Sequence, residues 1–129
     1  MHSKYGNIWI TEHARIRYLE RFHGKRFSED ADARDYADEN RIDLNNEMID
    51  KINLSKEDNS YKNNHNYMAY LYEKHGYDAK FRMLLYSGDD ALLLFLIVIL
   101  DGKQTMVTCM DAGGGNIWFL ATKKKFRHK

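Results

Sequence analysis

Proline is absent from all 129 residues, so no proline-rich linker divides the chain, and the absence carries no functional meaning of its own. Cysteine occurs once, at Cys109, which excludes an intramolecular disulfide and suits a reducing compartment. Long apolar runs are also missing. The longest, Ala91 to Leu100, has ten residues, half of the roughly twenty that a membrane-spanning helix needs. Met1-His2-Ser3-Lys4-Tyr5-Gly6 lacks the apolar stretch of a secretory leader. The expectation is a soluble, cytoplasmic protein with no membrane partner.

Metal-ligand spacing is lacking too. His2, His23, His65, His75 and His128 form no HExxH pattern, and one cysteine cannot build CxxC. Gly113-Gly114-Gly115 is not followed by Lys-Ser/Thr, so it is no phosphate loop. No metal and no cofactor are expected.

What is present is enough apolar sequence, 43%, to fill one core. The reading is a single domain over residues 1–129, with a polar, acidic insert at 28–66 and a basic tail at 123–129. Thr11 is a good helix N-cap, Glu12 suits the positive end of the helix dipole, and Gly24 is placed to end that helix. Between them Ala14, Tyr18, Leu19 and Phe22 form an apolar stripe. Ser28 is read as the cap of a helix over about 29–39. Asp43 is read as the cap of another, with Leu44, Met48, Ile49 and Ile52 on one face. Tyr67–Glu73 is ambiguous and read as a strand, on the β-propensity of its tyrosines. Further strands are expected at Phe81–Tyr86, Ala91–Leu100, Thr105–Met110 and Ile117–Thr122. Asp101-Gly102 and Gly113-Gly114-Gly115-Asn116 are read as tight turns between them. Ala91–Leu100, apolar throughout, is expected at the sheet centre. The fold class is therefore α+β, with N-terminal helices on a four- to five-stranded antiparallel β-meander.

The net charge of +1 hides three blocks. Residues 1–27 carry +4, residues 28–60 carry −7, and residues 61–129 carry +4. The acidic block is read as a solvated helical face, with docking of a basic protein partner as the alternative. Lys123, Lys124, Lys125 and Arg127 make the tail a candidate phosphate-binding segment.

The most informative stretch runs from Ile10 to Phe22. On a helix, His13, Arg17, Glu20 and Arg21 share one face beside the apolar stripe. Such a row could serve RNA cleavage through the substrate's own 2′-OH. That reaction needs a base for the 2′ proton, an acid for the leaving 5′ oxygen, and cations for the charge building on phosphorus. His13 sits in the first helical turn, where the dipole disfavours its charged form, so it suits a base. Arg17 or Arg21 can grip a phosphate through a planar fork. The bland alternative is an ordinary salt-bridged helix surface.

The arrangement His13-Ala14-x-x-Arg17-x-x-x-Arg21 on an early helix, with a late strand containing Val107-Thr108-Cys109-Met110, resembles the barnase–EndoU–colicin–RelE superfamily of metal-independent RNases and toxin domains. The resemblance implies an endoribonuclease whose active site includes His13, Arg17 and Thr108, with Arg21 as a further phosphate contact and RNA as partner. It leaves the second proton-transfer residue unassigned. Two other readings stand beside it: a non-enzymatic protein that binds and inhibits a partner protein, favoured by the acidic block, and an RNA binder without catalysis.

Overall fold

The computed structural model describes residues 1–112. The turn expected at 113–116, the strand expected at 117–122 and the tail cations Lys123, Lys124, Lys125 and Arg127 lie outside the described residues. The fold is α+β. In chain order the elements are β1 (His2–Ser3), β2 (Gly6–Ile10), α1 (Glu12–Arg21), α2 (Asp30–Glu39), α3 (Arg41–Asn53), β3 (Lys56–Glu57), a 3-10 turn (Ser60–Asn63), α4 (His65–His75), β4 (Lys80–Ser87), β5 (Leu92–Leu100) and β6 (Lys103–Asp111).

The strands form one six-stranded sheet in the order β1-β2-β6-β5-β4-β3. β4, β5 and β6 are the expected antiparallel meander. Asp101 and Gly102 turn the β5–β6 hairpin with φ of 53° and 77°, the left-handed pair that matches the twist of the flanking strands. The expectation of a purely antiparallel sheet is corrected by β2. This strand lies parallel to β6, with Ile8 opposite Gln104 and Ile10 opposite Met106, so the sheet is mixed. The pairing joins residues almost a hundred positions apart, and no local turn signal announces it.

β5 is central, and its pleat feeds two layers. Leu93, Phe95 and Ile97 pack with Ala14, Tyr18 and Leu19 of α1 and with Leu44, Met48 and Ile52 of α3. Leu94, Leu96 and Val98 pack on the other side with Tyr61, Leu71 and Phe81. Burying each large apolar side chain contributes about 1.5–3 kcal/mol. An apolar run with no polar alternation is what a strand covered on both faces requires.

The second cover is α4, which corrects the reading of Tyr67–Glu73 as a strand. Asn64 caps the helix, its side-chain oxygen accepting from the Tyr67 N–H at 3.0 Å, and Gly76, with φ 102°, ends it. Tyr67, Met68, Leu71 and Tyr72 then fall on one helical face against the sheet. Burial of that face outweighs the β-propensity of the tyrosines. Two cap assignments also move. α2 begins after Glu29 rather than Ser28, whose hydroxyl contacts Asp32 at 3.4 Å. α3 begins after Asn40, which also ends α2, leaving Asp43 in its first turn. The acidic helices α2 and α3 lie in the α1 layer, against the opposite sheet face from α4.

Candidate active site

The site begins where β2 becomes α1. The Thr11 N–H and hydroxyl both donate to the Met106 carbonyl, at 3.2 and 3.0 Å. The same hydroxyl accepts from the Ala14 N–H at 3.1 Å, the N-cap bond. One threonine thus pins the first turn of α1 to the middle of β6. Beyond Met106, β6 carries a bulge: Leu96 faces Thr108 and Ile97 faces Met106, which leaves Val107 unpaired. A bulge re-aims side chains locally. Here it turns Val107 and Thr108 together towards the α4 side of the sheet, and both line one cleft.

That cleft has a volume of about 560 Å³, within the range of small-ligand sites. Its lining comes from four elements, with Leu96 of β5 in the floor and Thr11 at the start of α1. α1 contributes His13, and β6 contributes Val107, Thr108 and Met110. α4 contributes Tyr67, Tyr70, Leu71, Lys74 and His75. His13 and Thr108, 95 positions apart in sequence, are brought together.

The rest of the helical row is divided. Arg17 lies one turn beyond His13 and pairs with Glu20 at 2.6 Å. It acts on the cleft at a distance, its charge opposing protonation of His13. Arg21 lines a separate hollow of about 220 Å³ with Glu20, Gly24, Lys25 and Arg26. Arg15, inside the motif but unremarked in the sequence, is buried. Its guanidinium donates to the Ile10 carbonyl at 2.9 Å and to Asn45 at 3.4 Å, tying α1 to β2 and α3.

The residues that sequence reasoning missed are on α4. Tyr67, Tyr70, Leu71, Lys74 and His75 have the spacing of one helical face. Reading that segment as a strand hid their common direction. The usable signal was Asn64 as an N-cap ahead of this spacing.

The electrostatics favour neutral imidazoles. Partial desolvation lowers the proton affinity of His13, and the charges of Arg17 and Lys74 lower it further, against an opposing pull from Glu20. Desolvation and Lys74 lower that of His75. The two differ in helix position. His13 is in the first turn of α1, where the dipole disfavours charge. His75 is the last residue of α4, where the dipole favours it. The dipole thus acts with desolvation and the Lys74 charge at His13, and opposes them at His75. Lys74 supplies a positive charge between them in sequence and electrostatics, its ammonium donating to the Tyr70 hydroxyl at 3.2 Å. Cys109 is no nucleophile in this arrangement, since burial pushes its thiol up to about 12 and it belongs to the α1-side core.

Among the described residues, no group of three or more His, Cys, Asp or Glu side chains is placed to hold a metal ion. None of the described helices is long and apolar enough to cross a membrane. The sequence matches no protein-family model and no curated protein, and no solved structure matches the fold.

Proposed function

We propose that the chain is an endoribonuclease that cleaves RNA by attack of the 2′-OH on the adjacent phosphorus, using its own side chains for the chemistry. The observation that carries this reading is the shared cleft: His13 and Thr108 from distant parts of the chain, with His75 and Lys74 beside them. In the first step neutral His13 takes the 2′ proton as the 2′ oxygen bonds to phosphorus. Protonated His75 gives its proton to the departing 5′ oxygen as the P–O5′ bond breaks. The products are a 2′,3′-cyclic phosphate and a 5′-OH end. Lys74 stabilises the charge that develops on the phosphoryl oxygens, and the Thr108 hydroxyl donates to one of them. Arg17 tunes His13 through its charge, and Arg21 is placed for a neighbouring phosphate further along α1. Membership of the barnase–EndoU–colicin–RelE superfamily is part of the same proposal, supported by the helix-1 row and the meander.

The test is incubation of the purified protein with total RNA in excess EDTA. Wild type should cleave. His13→Ala and His75→Ala should each lose about 10²–10⁴-fold, the scale of a missing general acid or base, with unchanged circular dichroism. Equal cleavage by wild type and both variants would remove the two histidines from the mechanism. Absence of cleavage by wild type, with RNA still bound, would favour the non-catalytic RNA binder.

A further inference from the structure

The cleft holds more than its proton-transfer groups. Its α4 wall presents Tyr70, 51% exposed, stacked on Tyr67 with ring centroids 6.1 Å apart and planes 27° apart. The floor beside this pair is apolar, formed by Leu71, Leu96, Val107 and Met110. Proton transfer and phosphate binding need none of these groups. A flat π face over an apolar floor takes a planar aromatic ligand. The hydrogen bond from the Lys74 ammonium to the Tyr70 hydroxyl fixes the positive charge at the rim of the same ring. A planar ring joined to an anion one sugar away is a nucleotide.

We infer that this wall is a nucleobase subsite: the cleft takes single-stranded RNA with one base unstacked onto Tyr70 and its phosphate at Lys74, His75 and His13. The substrate class follows from geometry. In an A-form duplex each base is stacked between neighbours and paired at its edge, so its face is closed to a protein side chain. An unpaired strand can splay a base outward at small cost, and aromatic stacking rewards it whatever the base. The inference deepens the ribonuclease reading and rests on it for the position of the phosphate.

The experiment uses a fluorescein-labelled 2′-O-methyl hexanucleotide, which keeps the base and phosphate but has no free 2′-OH to attack. Its binding to the full chain is compared with that of the same strand annealed to its complement. Tyr70→Ala, Tyr70→Phe and wild type are measured with both probes. Wild type should prefer the single strand. Tyr70→Ala should weaken single-strand binding by about fivefold to a hundredfold, the equivalent of one lost stacking contact. Tyr70→Phe should bind as wild type, because the ring face is kept. Equal affinity of wild type and Tyr70→Ala, or equal affinity for single strand and duplex, overturns the inference. The ribonuclease reading fails separately: if unmodified RNA is bound with this Tyr70 dependence but not cleaved, the subsite stands in a binding protein.

Discussion

Two imidazoles that must act as acid and base need opposite protonation states at the same pH. His13 and His75 both lose their protons more readily than a free imidazole, whose ordinary value is 6.5. The charged form of His75 therefore predominates only below that value, and the neutral form of His13 survives to lower pH than usual. Plotted against pH, kcat/KM should be bell-shaped, with its maximum and its alkaline limb below 6.5. Lys74 depresses both histidines, so Lys74→Gln should move the alkaline limb upward while lowering the maximum rate. An alkaline limb above the ordinary imidazole value in wild type would contradict these assignments. Thr11 offers a stability test at the same scale. Thr11→Ala removes both an N-cap and a bond to β6 and should cost about 1–2 kcal/mol in urea unfolding. Because it frees the α1 turn that carries His13, it should also lower kcat. Thr11→Ser, which keeps the hydroxyl, should restore both.

Among the elements, the bulge in β6 and the helix α4 make the cleft. Side chains alternate along a strand, and the bulge at Val107 puts two neighbours on one face. Deleting Val107 should regularise the pairing with β5, keep Thr108 opposite Leu96 on the α4 side, and lower activity by removing one residue of the cleft wall. A two-dimensional NMR spectrum should still show the β4–β5 hairpin. Thr108→Val removes the hydroxyl in place, and undiminished cleavage by that variant would exclude Thr108 from the site. The interface of α1 and α3 is held by Glu47, which accepts from the buried Tyr18 hydroxyl at 2.9 Å and faces His23 at 2.9 Å. Glu47→Ala leaves that hydroxyl without its partner and should cost about 1–3 kcal/mol in thermal or urea unfolding, with the chemistry of the cleft unchanged. Sequence reasoning reached these elements unevenly. α1, the meander strands and the Asp101-Gly102 turn were legible because each depends on local periodicity or turn chemistry. β2 was not, since three residues pair in parallel with a strand at the far end of the described chain. α4 was misread because tyrosine favours strands in general, while here packing of one helical face decides. The bulge has no sequence signature at all, so the meeting of His13 with Thr108 came from resemblance, and Lys74 and His75 were found only in the structure.

Over the whole molecule, the acidic charge is concentrated away from the cleft. The acidic block, −7 over residues 28–60, lies mostly in α2 and α3 on the α1 side of the sheet. The cleft opens on the α4 side, with Lys74 and His75 at its wall and Arg17 acting on His13 from outside it. A polyanion is thus repelled by the acidic helices and meets Lys74 at the cleft on the other side. Binding of RNA should weaken linearly in log–log terms as salt rises, with a slope of about −0.7 per phosphate contacted on a single strand. Lys74→Gln should reduce that slope by about one contact. Deleting residues 123–129, which carry five lysines and arginines, should reduce it further. The most direct measurement of the central claim is product analysis on a DNA oligonucleotide carrying a single ribonucleotide, incubated with the protein in EDTA and read by mass spectrometry. Attack by the 2′-OH predicts one cut, 3′ to the ribonucleotide, leaving a 2′,3′-cyclic phosphate and a 5′-OH, and no cut in the all-deoxy strand. Cleavage of the all-deoxy strand, or ends bearing a 5′-phosphate and a 3′-OH, would contradict it.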